Sequence, residues 1–165
     1  MKKSIIDTWQ IRRSRTADLD TLVALWERSV RATHDFLTER DIDALRPLVP
    51  EALSDDALEL WVLTEQTDVP VGFMGLADHD IAALFLEPAH RGQGGGRRLM
   101  AHAQGLRDGP LTVDVNEQNP SARGFYEALG FVVVGRSPVD DDGRPFPVLH
   151  MRRPMTSDRQ TLHTD

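Results

Sequence analysis

The part of the sequence best suited to chemistry is a glycine-rich loop that follows an apolar run. The segment Leu84–Leu99 reads LFLEPAHRGQGGGRRL, with four glycines between Pro88, where a buried strand ends, and the start of a helix. Glycines let backbone N–H groups approach phosphate oxygens, and a helix N-terminus adds partial positive charge. The loop therefore predicts an anion site, and three guanidinium groups flank it as charge-assisted donors: Arg91, Arg97 and Arg98.

Two common phosphate-binding loops do not fit this segment. A Walker A loop needs Gly-Lys followed by Ser or Thr, whereas Gly96 is followed by Arg97. The dinucleotide fingerprint GxGxxG lacks its third glycine whether it is counted from Gly92 or from Gly94. In addition, Leu86–Arg91 is too long a connection for the tight strand-to-helix turn of that motif. A nicotinamide-dependent enzyme is thus a minor alternative, and a flexible surface turn is the plain structural one.

A second motif lies further along the chain, in Asn116–Phe131, which reads NEQNPSARGFYEALGF. It predicts a helix with both ends marked, because Asn119 suits the N-cap, Pro120 the first helical position and Gly130 the position after the end. Asn119 and Tyr126 then lie about 10.5 Å apart on nearly the same helix face. That spacing suits one extended ligand, although an asparagine cap and a core tyrosine are also ordinary features of a helix.

Taken together, the two motifs resemble those of the GNAT superfamily of N-acetyltransferases. The pattern Arg-x-x-Gly-x-Gly resembles the acyl-coenzyme A pyrophosphate loop of that superfamily, and it is formed here by Arg91, Gly94 and Gly96. The later GNAT signature has its counterparts in Asn119, Ala122, Tyr126, Gly130 and Phe131. The resemblance extends from Ile11 to Met151 and is nearest the YjaB-type bacterial branch.

The resemblance implies a fold and a reaction. The fold is the α/β (α+β) GNAT acyl-CoA N-acyltransferase fold, a mixed and mostly antiparallel sheet with splayed central strands and helices on both faces. Residues 1–155 would form one domain, followed by a flexible tail over residues 156–165. The reaction is direct acetyl transfer from acetyl-CoA to an amine acceptor in a ternary complex, with no cysteine intermediate and no metal. The other functional class is a catalytically idle acyl-CoA binding or sensing module, against which Tyr126 in register argues.

The resemblance also assigns roles to residues. The cofactor-binding set comprises Leu84, Phe85, Leu86, Arg91, Gly92, Gln93, Gly94, Gly95, Gly96, Arg97, Asn119 and Tyr126. Backbone N–H groups near Phe85 and Leu86 would hold the acyl carbonyl and its oxyanion. Tyr126 would be the general acid, since a phenol stays protonated at neutral pH.

Gly95 departs from the family, which commonly has an aliphatic residue there, and a run of three glycines loses about 1 kcal/mol of helix propensity at each. We therefore expect a looser loop in the absence of ligand.

The general base is left open by the sequence. His34 is a candidate base or acceptor-site residue because it lies where GNAT proteins usually build the acceptor wall, and its ordinary pKa suits the task. Glu117 is a second candidate, and with Asp114 it is alternatively a binding site for a cationic substrate. Other candidates near strand ends are His79, Glu87 and His150. Asp140–Asp142 is most simply a turn before Gly143.

These residues must be positioned by strands and helices that the hydrophobic pattern predicts. Thr16 or Asp18 is a candidate cap of the first helix, and the helix after Gly96 would turn Leu99, Ala103 and Leu106 inward. The predicted strands are Trp9–Arg13, Leu58–Thr64, Val71–Ala77, Ile81–Leu86, Leu111–Val115, Phe131–Val134 and Pro145–Met151. The predicted helices are an apolar stripe from Leu19 to Val30, short pieces within His34–Leu53 broken by Pro47 and Pro50, Gly96–Leu106 and Asn119–Leu129.

Composition narrows the class of protein further. The chain has 165 residues, of which 40% are hydrophobic and 27% charged, typical of one folded domain. It has no cysteine, so disulfides and thiolate chemistry are excluded. A net charge of −7 argues against a nucleic-acid partner. Because no apolar run reaches the ~18 residues of a membrane span and no signal peptide is evident, we expect a cytoplasmic enzyme, with a homodimer left open.

Overall fold

The computed structural model describes residues 8–154 of the chain. The predicted tail, residues 156–165, lies outside the described residues. The strands are β1 (Gln10–Arg13), β2 (Glu59–Thr64), β3 (Pro70–Ala77), β4 (Asp80–Leu86), β5 (Thr112–Asn116), β6 (Val132–Ser137) and β7 (Val148–Arg152). The helices are α1 (Leu19–Thr33), α2 (Glu39–Leu45), α3 (Val49–Leu53), α4 (Gly95–Leu106) and α5 (Pro120–Ala128). Every predicted helix and strand is present, with ends that differ by a few residues.

The seven strands form one mixed sheet in the order β1-β2-β3-β4-β5-β7-β6. The pairs β1–β2, β2–β3, β5–β7 and β6–β7 are antiparallel, whereas β4 and β5 are parallel through Asp80–Thr112 and Ile81–Val113. This confirms the predicted mixed and mostly antiparallel sheet. The chain divides into two compact units, one of residues 1–78 and 82–106 and the other of residues 79–81 and 107–165, each described below within residues 8–154.

In the first unit, α1 forms because its apolar residues recur at helical spacing and are buried against the sheet. Its stripe of Leu22, Leu25, Trp26 and Val30 packs in one cluster with residues of β2 and β3, among them Leu60, Val62 and Phe73. This apolar burial fixes the position of the C-terminal end of α1, which carries Thr33 and is followed by His34. The candidate site residue His34 therefore directly follows a well-packed helix.

The predicted cap of α1 is confirmed in position but not in contact, since Asp18 is the N-cap residue and its side chain makes no capping hydrogen bond. Thr16 and Asp18 belong to a short 3-10 turn before the helix, and neither side chain caps α1. The Asp18 carboxylate instead accepts from the Arg12 guanidinium at 2.8 and 2.9 Å and from the Arg15 backbone N–H at 2.7 Å. A charge-assisted pair with arginine is stronger than a neutral contact, so it takes the carboxylate that the cap would have used.

The broken helical segment after α1 is confirmed. Thr38 caps α2 by accepting from the Asp41 N–H, and the Asp41 carboxylate accepts in return from the Thr38 N–H. Pro47 lies in a 3-10 turn and Pro50 in the first turn of α3. Proline is tolerated there because a first-turn N–H has no helical partner.

Helix α4 buries Leu99 and Ala103 as predicted, but Leu106 is 38% exposed. The prediction for Leu106 is wrong because that residue ends the helix, where the chain leaves the face that Leu99 and Met100 bury. Among the described residues, no helix is long and apolar enough to cross a membrane.

In the second unit, α5 begins and ends as the sequence indicates. The Asn119 side chain accepts from the Ala122 N–H at 3.2 Å, Pro120 opens the helix and Gly130 has a φ of 95° beyond its end. Tyr126 of this helix contacts Phe131, and both are buried. The strand that follows begins at Val132 and continues to Ser137, and β7 begins only at Val148 because the preceding residues form a loop.

Candidate active site

The glycine loop is exposed and leads directly into α4. After β4 the chain makes a 3-10 turn, Pro88–His90, and then passes through Gly92 and Gly94, whose φ values are 78° and 88°. These positive φ values disfavour residues with a Cβ atom. The Arg98 N–H donates to the Gly94 carbonyl at 3.1 Å, which closes the first turn of the twelve-residue helix α4. The first N–H groups of the helix therefore have no helical acceptor and fit a pyrophosphate.

Gly95, the position that departs from the family pattern, is buried against the first unit's core. A Cβ atom there would lie 3.0 Å from Leu63 Cδ2, 3.2 Å from Trp9 Cζ3 and 3.3 Å from Leu86 Cδ2. The Trp9 indole is itself only 2% exposed. The space that an aliphatic side chain would need at this position is thus filled by neighbouring side chains, which gives a packing reason for glycine.

Strand β4 presents its backbone groups in alternation. The Glu87 N–H donates to the Val71 carbonyl of β3 at 2.8 Å. Because successive residues of a strand point their N–H groups to opposite edges, the N–H of Phe85 also points towards β3 and that of Leu86 points away from it. Phe85 packs its ring on Phe73, with ring centroids 5.5 Å apart. Of the two predicted oxyanion donors, Leu86 has the N–H that faces away from β3.

His34 is the first residue after α1, and its ring is half-buried. The Thr33 hydroxyl lies 2.7 Å from His34 Nδ1 and donates to the Ser29 carbonyl at 2.8 Å. The Phe36 ring packs beside the imidazole with centroids 5.4 Å apart. Burial, and secondarily the positive charge of Arg91, lowers the pKa of His34 below its ordinary value of 6.5. The imidazole is therefore neutral at neutral pH, as a general base must be.

In the second unit, Tyr126 is buried with only 6% of its surface exposed. Its ring makes edge contacts with Phe125 and Phe131. Burial, and secondarily the negative charge of Asp80, raises the pKa of Tyr126 well above 10. Burial also raises the pKa of Asp80, and a hydrogen bond from Thr112 opposes that shift. The phenol thus stays protonated at neutral pH.

Asn119 is also buried, at 6% exposure. Its carboxamide oxygen is used by the helix cap, whereas the amide NH2 group is not needed for that role. The cap of α5 therefore does not use the amide NH2 group, which is a hydrogen-bond donor.

Three of the other candidate bases have their polar atoms engaged. Arg136 donates to the Glu117 carboxylate at 2.7 Å, and this hydrogen bond lowers the pKa of Glu117. Arg28 forms a paired contact with both oxygens of Glu87, at 2.7 and 2.8 Å. His79 Nε2 lies 3.2 Å from the carbonyl oxygen of Asp108. A carboxylate paired with a guanidinium is a poor proton acceptor, so Glu117 and Glu87 are weak candidates.

His150 forms a hydrogen-bonded chain that the sequence reading missed. Its Nδ1 lies 2.7 Å from Asp114 Oδ1, and its Nε2 lies 2.7 Å from Ser137 Oγ. The sheet brings these residues together, since Asp114 pairs with His150 and His150 pairs with Gly135, two residues before Ser137. These hydrogen bonds depend on the register between strands that are distant in sequence. The sequence of one strand alone does not determine that register, so the contacts could not be predicted.

The acidic segment before Gly143 is a turn, as its sequence suggests. The Asp140 carboxylate accepts from the N–H groups of Asp142 and Arg144, and Gly143 has a φ of 76°. Asp140 is thus used locally to hold the turn. No group of three or more His, Asp or Glu side chains within residues 8–154 is arranged to hold a metal ion.

Each unit thus carries part of the predicted site. The first unit holds the glycine loop, the end of β4 and His34, and the second holds Asn119 and Tyr126 on α5. A mixed seven-stranded sheet, a glycine loop before α4 and a helix carrying Asn119 and Tyr126 are the arrangement expected of a GNAT acetyltransferase. A family model described as an acetyltransferase (GNAT) domain matches residues 39–153. The chain belongs to this family and is a GNAT-type N-acetyltransferase.

Characterised relatives place the chain more narrowly. It is 49% identical over 146 residues to the peptidyl-lysine N-acetyltransferase YjaB of Salmonella typhimurium, covering 87% of this chain and 97% of that protein. It is similar to the solution structure of apo-form YjaB from Escherichia coli, with a TM-score of 0.80, 46% identity and coverage of 87% and 96% of the two chains. The predicted resemblance to the YjaB-type branch is confirmed.

The fold extends to more distant proteins. The crystal structure of the PaiA N-acetyltransferase from Thermoplasma acidophilum in complex with coenzyme A matches with a TM-score of 0.72 at 18% identity, covering 89% of this chain and 99% of that one. At this identity the similarity shows the fold alone. The GNAT fold uses acetyl-CoA, and this structural neighbour is a complex with coenzyme A.

Proposed function

We propose that this enzyme transfers the acetyl group of acetyl-CoA directly to the side-chain amine of a lysine in a protein or peptide. The observation that carries the proposal is the exposed loop at the start of α4, where Gly92 and Gly94 have positive φ values and the first helical N–H groups have no helical acceptor. The lysine acceptor is supported by the activity in the name of the 49% identical relative. The net charge of −7 favours the approach of a cationic acceptor.

The loop and Asn119 would bind the coenzyme A portion. Arg91 and Arg97 are exposed on either side of the glycines and add charge-assisted donors to the backbone N–H groups. The free NH2 group of the Asn119 side chain would donate to a carbonyl of the pantetheine arm. When bound, acetyl-CoA supplies an activated acetyl group, whose carbonyl oxygen the Leu86 N–H would stabilise as negative charge develops on it.

His34 would remove the proton that the lysine ammonium must lose before it attacks. Burial and Arg91 keep the imidazole neutral. His150 is the competing base, but its Nε2 is occupied by the Ser137 hydroxyl. Within residues 8–154, His34 makes a hydrogen bond through Nδ1 and none through Nε2. A base needs an unoccupied lone pair, and on that criterion His34 is favoured over His150.

Tyr126 would act as the general acid that protonates the departing thiolate. Burial raises the pKa of Tyr126, so the phenol carries its proton at neutral pH. Since the chain contains no cysteine, no cysteine residue carries the acetyl group between donor and acceptor.

The test is release of free coenzyme A thiol with acetyl-CoA and lysine-containing peptides, compared with N-terminal and small amines. We expect thiol release with lysine peptides, and a fall of about 100-fold or more in turnover for Tyr126→Phe with coenzyme A affinity little changed. Glu127→Gln, at an exposed position of the same helix, is the matched control and should keep wild-type turnover. Unchanged turnover in Tyr126→Phe would remove Tyr126 from the mechanism.

The choice of base is tested by His34→Gln against His150→Asn. We expect His34→Gln to lose turnover and His150→Asn to retain most of it, because of these two it is His34 whose Nε2 has no hydrogen-bond partner within residues 8–154. The reverse pattern would assign the base to the second unit. An idle binding module, the other functional class, predicts tight coenzyme A binding by calorimetry with no thiol release for any amine.

A further inference from the structure

We infer that Thr33 is a positioning residue that holds His34 in the tautomer with its proton on Nδ1 and its lone pair on Nε2. The inference rests on the proposed function of His34 for its catalytic meaning, but it concerns a property of the free protein. It follows from the direction of two hydrogen bonds.

The first hydrogen bond commits the only proton of the Thr33 hydroxyl. Thr33 Oγ1 lies 2.8 Å from the carbonyl oxygen of Ser29, one helical turn earlier. A carbonyl oxygen is an acceptor only, so the hydroxyl must donate to it. The same hydroxyl then has only lone pairs to offer to a second partner.

The second hydrogen bond fixes the imidazole. Thr33 Oγ1 lies 2.7 Å from His34 Nδ1. Because the hydroxyl proton is already used, Nδ1 must carry the proton and donate to Oγ1. A neutral imidazole has one N–H, so Nε2 is left as the acceptor. This is the nitrogen through which His34 would take a proton from the acceptor amine.

The arrangement is held in place by the end of α1. Ser29 is buried at 5% exposure, and the His34 backbone N–H donates to the Val30 carbonyl at 2.8 Å, which ties the first residue after the helix to its last turn. Threonine is β-branched and therefore stiff at χ1, so its hydroxyl is directed with little freedom. One defined tautomer requires a neutral imidazole, which is consistent with the lowered pKa of His34. Burial and the charge of Arg91 lower this pKa, and the charge of Asp35 opposes the shift.

The ring of His150 is also oriented by hydrogen bonds, but both of its nitrogens are engaged. His150 Nδ1 donates to the Asp114 carboxylate, and in the tautomer with its proton on Nδ1 alone Nε2 accepts from the Ser137 hydroxyl. Both imidazoles are thus predicted to carry the proton on Nδ1, but of these two it is His34 whose Nε2 has no hydrogen-bond partner among the described residues. A fixed tautomer is therefore not enough to make a histidine a base, because its Nε2 must also be unoccupied.

The tautomer is measured directly by the ring 15N chemical shifts and two-bond couplings of His34 in the free, 15N-labelled protein, assigned with His34→Gln. In the wild type we expect a pattern of protonated Nδ1 and unprotonated Nε2. Thr33→Val keeps the shape of the side chain but removes the acceptor, so the pattern should shift towards protonated Nε2. Thr33→Ser keeps a hydroxyl and should preserve the wild-type pattern.

The kinetic counterpart uses the same variants. Thr33→Val should lower kcat/KM for the acceptor by about fivefold, the effect of one neutral hydrogen bond, with coenzyme A affinity unchanged, and Thr33→Ser should recover most of it. Thr21→Val, at an exposed position of α1, is the matched control and should change neither readout.

Each outcome decides a separate point. Protonated Nε2 in the wild type, or an unchanged nitrogen pattern in folded Thr33→Val, would overturn the inference about Thr33. Full turnover in His34→Gln would instead overturn the role of His34 as the base, and it would leave the measured tautomer untouched. If Thr33→Val does not fold, as judged by its amide spectrum, the wild-type nitrogen pattern and Thr33→Ser still decide the inference.

Discussion

Replacing Gly95 with alanine tests whether packing, rather than loop flexibility, accounts for the third consecutive glycine of the loop. An added Cβ atom would lie 3.0–3.3 Å from Leu63, Trp9 and Leu86 side chains, closer than ordinary van der Waals contact. Overpacking of this kind typically costs about 1–3 kcal/mol. Alanine also gains up to about 1 kcal/mol of helix propensity. We therefore expect Gly95→Ala to lower the free energy of unfolding by about 1 kcal/mol.

The assay is urea unfolding followed by tryptophan fluorescence, which reports on Trp9 among the three tryptophans. Gly105→Ala is the matched control on the same helix, because a Cβ atom there meets nothing within 4 Å. That control should be stabilised by about 0.5–1 kcal/mol. The predicted signs of the two variants are thus opposite, although both exchange glycine for alanine in α4.

A second substitution identifies the contact responsible. Leu63→Val removes the methyl group nearest to the added Cβ, at a cost of about 1 kcal/mol by itself. In the double variant, part of the Gly95→Ala penalty should disappear, giving a favourable coupling of at least about 0.5 kcal/mol. Stabilisation of Gly95→Ala equal to that of Gly105→Ala would refute the packing explanation and leave the glycine to ligand binding.

Further predictions concern the helix that carries Tyr126 and the two titrating groups. Gly124→Ala should raise the free energy of unfolding by up to about 1 kcal/mol in a melting experiment, since a Cβ atom there meets nothing within 4 Å. Asn119→Ser should keep the cap of α5 but weaken coenzyme A binding in calorimetry, because serine lacks the NH2 group. Asp80→Asn should lower the pKa of Tyr126, the only tyrosine, in an ultraviolet titration, because a negative charge is removed. Because the pKa of His34 is lowered, kcat/KM should fall on the acid side only below pH 6.5. The unfolded chain takes up this proton more readily than the folded protein, so the free energy of unfolding should also decrease as the pH falls below 6.5.

Local signals account for the part of the fold that the sequence predicts well. Helix α5 is marked by Asn119, Pro120 and Gly130, and each acts in the structure through contacts within a few residues. The apolar stripe of α1 likewise requires only helical periodicity to be recognised. Such features are determined by residues close to them in the sequence, so a single sequence is sufficient to predict them.

Features that depend on contacts between different elements cannot be predicted from one segment of the sequence. Asp18 fails as a cap because Arg12 competes for its carboxylate, and the chain through Asp114, His150 and Ser137 requires the register of three strands. Glu117 had the right residue type for a base, but Arg136 on β6 pairs with it. Charge partners of this kind decide whether a carboxylate can accept a proton, and no pattern within one strand shows them.

The two residues proposed for proton transfer have pKa values displaced in opposite directions, each by its own surroundings. Burial disfavours the charged form of both groups, and it therefore lowers the pKa of His34 and raises that of Tyr126. One nearby charge acts in the same sense for each group, since the positive Arg91 further lowers the pKa of the imidazole, a shift that Asp35 opposes, and the negative Asp80 further raises that of the phenol. The base is thus unprotonated and the acid protonated over the same pH range, which is the pairing that proton removal from an amine and proton delivery to a thiolate require. Exchange of either neighbouring charge for a neutral residue should narrow this difference without removing a reacting group.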